Sequence, residues 1–243
     1  MPDGENAPAR SVFRVPTGPR LLTLLGVLMV GGVTALMAVA AVYFLVLQQW
    51  ALGALTLALA AFLAGLTDYL VKDLRGKWGL RVAMEADALV LDLPVGRSLV
   101  HRPAAQHLKI PYGDIEAVES RLEAYGTLGM AMLQRAYVLR RKNGQLIFLF
   151  EDRAIETRFR SSTFTKLAAD IAERAGVPLR DLGMAEGRGG FLAVWGTQAP
   201  DWAAPQMPLA RQIRMRRRAA ITGTLAIIVV VLALILRLIS GSI

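Results

Sequence analysis

The sequence predicts a membrane-anchored α+β protein, with three transmembrane helices and a strand-rich insert that closes with one amphipathic helix. Three observations predict this class. No charged residue occurs from Leu21 to Thr67, and a second uncharged run covers Ala219–Leu236. Between them, residues 79–95 and 137–150 alternate apolar and polar side chains with strand period, and 161–176 switches to helical period. The bulk composition agrees, with 54% hydrophobic residues and a mean hydropathy of +0.43, too apolar for an ordinary soluble chain.

Residues 1–20 read as a tail carrying Arg10, Arg14 and Arg20. As one helix, the run from Leu21 to Thr67 would be roughly 70 Å long, more than twice a bilayer core. It therefore reads as a hairpin of two spans over 21–71. The only polar break is Gln48-Gln49-Trp50, so the first span covers about 21–47 and the second about 51–71. Trp50 suits a membrane interface, where an indole keeps one wet edge. Gly26, Gly31 and Gly32 would let a neighbouring helix approach closely. Ala38-Val39-Ala40 looks like a signal-cleavage site, but the apolar run before it is too long for a signal and continues past it.

Residues 72–180 read as a cytoplasmic domain. Leu80, Val82 and Met84 share one face, followed by Leu89, Leu91, Leu93 and Val95, with a turn at Glu85-Ala86-Asp87-Ala88. In 137–150, Asn143-Gly144 is the preferred two-residue type I′ turn. Counting outward pairs Arg141 with Leu146, Leu139 with Phe148 and Tyr137 with Phe150. That points Tyr137, Leu139, Leu146, Phe148 and Phe150 to the core. In 161–176, Phe164, Leu167, Ala168, Ile171, Ala172 and Ala175 form one stripe. Ser161 or Ser162 can cap the helix start, and Gly176 and Pro178 end it. Residues 110–126 fit two readings. One is a helix capped by Asp114, with Ile115, Val118 and Leu122 inward; the other is a strand entered through a turn at Pro111–Asp114. Periodicity alone slightly favours the helix.

Residues 181–210 read as a Gly/Ala/Pro-rich linker. A basic juxtamembrane segment and the third span then occupy 211–238, and 239–243 form an external tail. The clusters of Lys and Arg flank the spans on one side: the N-terminal tail, then Lys72, Arg75, Lys77 and Arg81, then Arg211, Arg214, Arg216, Arg217 and Arg218, against a single Arg237 at the other end of the third span. The positive-inside bias places the N-terminus and the insert in the cytoplasm. The five arginines are expected to orient the third span and to contact anionic lipid head groups. They lack the interleaved aromatics of a nucleic-acid groove, so no nucleic-acid partner is expected.

The segment KIPYGDIEAVESR (109–121) resembles one found in bacterial pleckstrin-homology-like domains, many of them membrane-anchored. The order of strands and helix matches over roughly 79–178. The resemblance implies a bent antiparallel β-barrel of seven strands plugged by helix 162–175, and it makes 115–121 a strand. It also implies a bacterial inner-membrane location and partner binding or self-assembly at the membrane. The phosphoinositide role of such domains does not carry over, because the loop after the first strand is Glu85-Ala86-Asp87-Ala88 rather than basic.

No catalytic signature stands out. Without cysteine there is no disulfide, thiolate metal site or catalytic thiol, and His101 and His107 stand six apart, matching no zinc spacing. Neither cofactor nor metal is expected. Asp114, Glu116, Glu119 and Glu123 surround Arg121. Paired carboxylates can do acid–base work, but without a nucleophile or phosphate loop they read as a solvated strand edge or loop rim. Glu151-Asp152-Arg153 reads as a polar turn, and Asp68 as a head-group contact at the inner end of the second span. Gly187-Arg188-Gly189-Gly190 lacks the Lys-Ser/Thr of a phosphate loop. Trp195 and Trp202 read as interfacial anchors, or as a flap packed on the domain. The expected function is a non-enzymatic membrane module binding lipids and either a protein partner or its own copies. The alternatives are a membrane-bound enzyme using residues 114–123, and a small transporter or channel subunit.

Overall fold

The computed structural model describes residues 11–98, 103–127, 130–152, 163–188 and 200–240. The elements are β1 (Ser11–Arg14), α1 (Thr17–Val46), α2 (Trp50–Gly79), β2 (Arg81–Met84), β3 (Ala88–Leu93), β4 (Gln106–Pro111), β5 (Ile115–Thr127), β6 (Met130–Arg141), β7 (Leu146–Asp152), α3 (Thr163–Ala175), β8 (Leu179–Glu186) and α4 (Leu209–Ser240). They divide into two compact units, Met1–Ile110 and Pro111–Ile243. The insert 72–180 contributes to both.

In the first unit, α1 and α2 form the helical hairpin, each 30 residues long and apolar enough to cross a membrane. The turn between them places Gln48 at φ 59°. The helices meet where the sequence thins their surfaces: a Cβ on Gly31 would touch Thr67, and one on Gly26 would touch Leu70, whereas Gly32 faces open space. The hydroxyls of Thr34 and Thr67 hydrogen-bond across the pair at 3.1 Å. At the charged end, the Lys77 ammonium donates to Thr23 at 2.7 Å and pairs with Asp73 at 2.8 Å. Asp68 pairs with Lys72 along the same helix.

The first sheet has the order β1-β2-β3-β4. Val82 faces Leu91 and Met84 faces Leu89, all buried, as the alternation in 79–95 predicts. Val95 departs from that expectation. It lies in a 3₁₀ turn (Val95–Arg97) after Pro94 and is exposed, because the turn ends the period-two pattern. β1 adds residues of the N-terminal tail to this sheet, Val12 opposite Ala83. Close approach requires Gly76 and Gly96: a Cβ on Gly76 would lie 2.1 Å from the Gly96 carbonyl oxygen. Beside this contact the buried Arg97 donates to the carbonyls of Pro94 and Ala104, both at 2.8 Å, and burial lowers its pKa to about 10.

The second sheet has the order β7-β6-β5-β8, with β8 parallel to β5. Residues 115–127 are strand, which includes the 115–121 expected from the resemblance, so tertiary pairing prevails over the local helical period. β8 occupies 179–186, which the sequence reading leaves largely to a linker. α3 buries Leu167, Ala168, Ile171 and Ala172. It ends as predicted: Gly176 takes φ +63°, and Val177 and Gly176 donate to the carbonyls of Ala172 and Glu173. Its N-cap candidates, Ser161 and Ser162, lie outside the described residues.

The β6–β7 hairpin corrects the expected register. Its loop has three residues, not two, with Arg141 bonded to Gln145 and only Gly144 at positive φ (82°). This turn needs one left-handed residue where type I′ needs two. Leu139 therefore pairs with Ile147, and Val138 with Phe148, until a bulge restores Tyr137 opposite Phe150. Tyr137, Leu139 and Phe150 are buried as predicted, but Leu146 is exposed and Phe148 only half-buried; Ile147 and Leu149 fill the core instead.

Candidate functional site

Strand period two places Glu119, Arg121, Glu123 and Tyr125 of β5 on one sheet face, with Val118, Ser120, Leu122 and Ala124 on the other. A charged face on a strand is normally wet. Here Glu119 and Arg121 are each 2% exposed and Glu123 3%. The expectation of a solvated strand edge or loop rim thus fails for Glu119 and Glu123. It holds for Asp114, which is exposed, and in part for Glu116, which is half-buried; they pair with Arg141 at 3.0 Å and Arg180 at 3.3 Å.

Buried charges are expensive unless paired and hydrogen-bonded, and these are. Arg140 donates Nε and Nη2 to the two Glu119 oxygens at 2.7 and 3.0 Å, a bidentate fork. The register makes this possible, because Arg140 stands opposite Ala117 on the face that carries Glu119. Arg180, directly beside Glu119 on β8, brings its guanidinium to 3.8 Å. Arg121 pairs with Glu123 at 2.6 Å, and the Tyr125 hydroxyl donates to the other Glu123 oxygen.

The segment 200–208 straps onto this face. The Trp202 indole N–H donates to Glu119 Oε2 at 2.6 Å, and the Arg121 guanidinium sits 4.4 Å from the Trp202 ring centroid. Arg121 Nη1 donates to the Asp201 carbonyl at 2.6 Å, and the Asp201 carboxylate pairs with Arg188 at 2.6 Å. Further on, Met207 N donates to the Met184 carbonyl at 2.6 Å. The strap therefore rounds the outer edge of β8. Beyond the edge, Met207 and Met215 pack with Leu122, Ala124, Ala131 and Met184 on the opposite sheet face. Gly187 closes the site by backbone alone, its N–H on the Ala124 carbonyl. A Cβ there would lie 2.2 Å from the Tyr125 ring.

The electrostatics follow from these contacts. Burial by itself would raise the Glu119 pKa. The hydrogen bonds from Arg140 and Trp202 and the charges of Arg140 and Arg180 outweigh it and hold the carboxyl below the usual glutamate range. Arg140 is raised chiefly by the same hydrogen bond. Burial, then the Glu123 charge and hydrogen bond, push the Tyr125 phenol far up, so it stays protonated. Both Glu119 oxygens and both Glu123 oxygens accept hydrogen bonds from neighbouring side chains. The arrangement holds a chain segment.

The remaining sequence candidates are dispersed. Arg211 pairs with Glu186 at 2.5 Å, while Arg214, Arg216, Arg217 and Arg218 are exposed on α4 around the buried Met215. Trp50 is exposed at the first turn of α2. Trp202 follows the flap reading; Trp195 and His101 lie outside the described residues. His107 pairs with Asp92. Glu151 is a buried residue of β7 rather than part of a polar turn, because the strand continues to Asp152. Arg140, Arg180, Tyr125 and Asp201 escaped the sequence reading. Charges at 119, 121 and 123 followed by Tyr125 were the available signal, being one face of a strand. No family model matches this chain, and neither a curated protein nor a solved structure is similar to it.

Proposed function

We propose that the chain is a non-enzymatic inner-membrane module. In this reading α1, α2 and α4 cross the membrane, and a pleckstrin-homology-like domain at the cytoplasmic face binds a protein partner or further copies of the chain. One observation carries the membrane part. Leu22, Leu28, Leu36, Val39, Leu55 and Phe62 of the helical hairpin are all exposed, and so many large apolar side chains need lipid around them. The third span rests on α4 containing the uncharged run 219–236 directly after the arginines. The non-enzymatic reading is supported by the closed pairing of Glu119 and Glu123, which ties up two of the carboxylates that the enzyme alternative would use.

A reporter active only in the cytoplasm tests the topology. Fused after Ile243 it should be silent; strong activity there overturns three spans. For the purified protein, a shift in melting with nucleotides or divalent metals, or turnover that requires them, would favour the enzyme instead.

A further inference from the structure

Among the described residues, the pairing of β5 with β6 extends past that of the flanking strands. Within the same residues, β8 pairs with β5 as far as Ala124 and β7 pairs with β6 from Arg135. Beyond them Tyr125–Thr127 and Met130–Gln134 continue as a two-stranded ribbon, with Gly126 opposite Ala131. From Ala124 to Gln134 the sequence has no charged side chain, although Glu123 and Arg135 stand immediately on either side.

The ribbon runs beside α4. Ala131 joins Leu122, Ala124, Met184, Met207 and Met215 in one cluster, with Leu133 and Ala219 packed against it. The Ala131 backbone N–H then donates to the Thr222 hydroxyl at 3.1 Å. α4 itself passes from its arginines into its uncharged run. Thr222 is the fourth residue of that run, about 5 Å past its start at 1.5 Å per residue. A ribbon bonded there shares that depth.

We infer that this ribbon is a membrane-contact element that seats in the lipid interface beside the third span. The inference rests on the third span proposed above. The depth is interfacial rather than central, because Thr222 lies close to the start of the uncharged run. It would fix the domain against the bilayer at a second point besides the helices.

The test uses the absence of cysteine from the chain. Single-cysteine variants Met132→Cys and Gly126→Cys report on the ribbon, Leu225→Cys on α4, and Asn143→Cys on the exposed turn at the other end of β6. Each is labelled with an environment-sensitive fluorophore in the full-length protein. The proteins are reconstituted in phosphatidylethanolamine/phosphatidylglycerol vesicles and quenched either by shallow spin-labelled lipid or by aqueous iodide. The expected result is lipid quenching at 132, 126 and 225, and iodide quenching at 143. If the 225 label is quenched by lipid while both ribbon labels follow the iodide pattern of 143, the ribbon is not in the interface and the third span stands. If the 225 label itself follows iodide, the third span falls and the ribbon inference with it.

Discussion

Glu119 joins three elements through one side chain: β6 through Arg140, β8 through Arg180, and the strap through Trp202. Trp202→Phe removes the indole N–H while keeping a ring against Arg121. A hydrogen bond to a charged acceptor is worth about 1.5–3 kcal/mol, and Trp202 is only half-buried, so a loss of about 1 kcal/mol is expected, read as a lowered Tm. Glu119→Gln tests the charge itself. The folded-state pKa of Glu119 lies below its unfolded value, so its contribution is fully present above the unfolded pKa, about 4.5, and is lost as pH falls through the lower folded value. The Gln variant should be less stable at pH 7 and should lose stability less steeply in acid. An unchanged acid profile would show that Glu119 is not the group responsible. Gly187→Ala should destabilise by about 1–3 kcal/mol, because Tyr125 is buried and tied to Glu123 and has no room to retreat. A parent-like melting curve for this variant would mean that the backbone there relaxes freely.

The elements with one strong local signal were legible in the sequence: the charge-free hairpin, the 79–95 strand pair, and α3 with its terminating Gly176. What was not legible depends on partners far along the chain. β5 reads locally as a helix because Ile115, Val118 and Leu122 fall at helical spacing, and only pairing with β6 and β8 makes it a strand. The same pairing turns its acidic residues from a presumed wet edge into a buried face, so the candidate site was visible as a cluster but misread in its environment. The β6–β7 register failed for a smaller reason, since Asn-Gly serves both a two-residue and a three-residue loop. This yields a sharp test. Ile147→Asp should abolish folding, because it buries a carboxylate without a partner at a cost of several kcal/mol against a stability of about 5–15. Leu146→Asp, at a position 40% exposed, should melt within about 0.5 kcal/mol of the parent. The register counted from a two-residue turn predicts the reverse order, so circular dichroism melts of the two variants decide between them.

For the whole molecule, the arginines of α4 divide into two groups. Arg211 pairs with Glu186 and so fastens the start of the helix to β8, whereas Arg214, Arg216, Arg217 and Arg218 are exposed along it. Positive charge this close to a span end sets orientation, and each basic residue near an anionic leaflet adds about 1 kcal/mol of attraction. Neither effect needs the planar donor fork that separates arginine from lysine. Replacing Arg214, Arg216, Arg217 and Arg218 with Lys should therefore leave the C-terminus outside and membrane recovery unchanged, while replacing all four with Gln should weaken orientation. Arg211 stays in place in both variants, so its pair with Glu186 is not confounded with topology. The measurement is the cytoplasmic reporter after Ile243, together with recovery of any partner or second copy after mild detergent extraction. A Lys variant that inserts correctly yet loses its partner would show that these side chains grip a carboxylate or phosphate bidentately, and would place a binding surface on the exposed flank of α4.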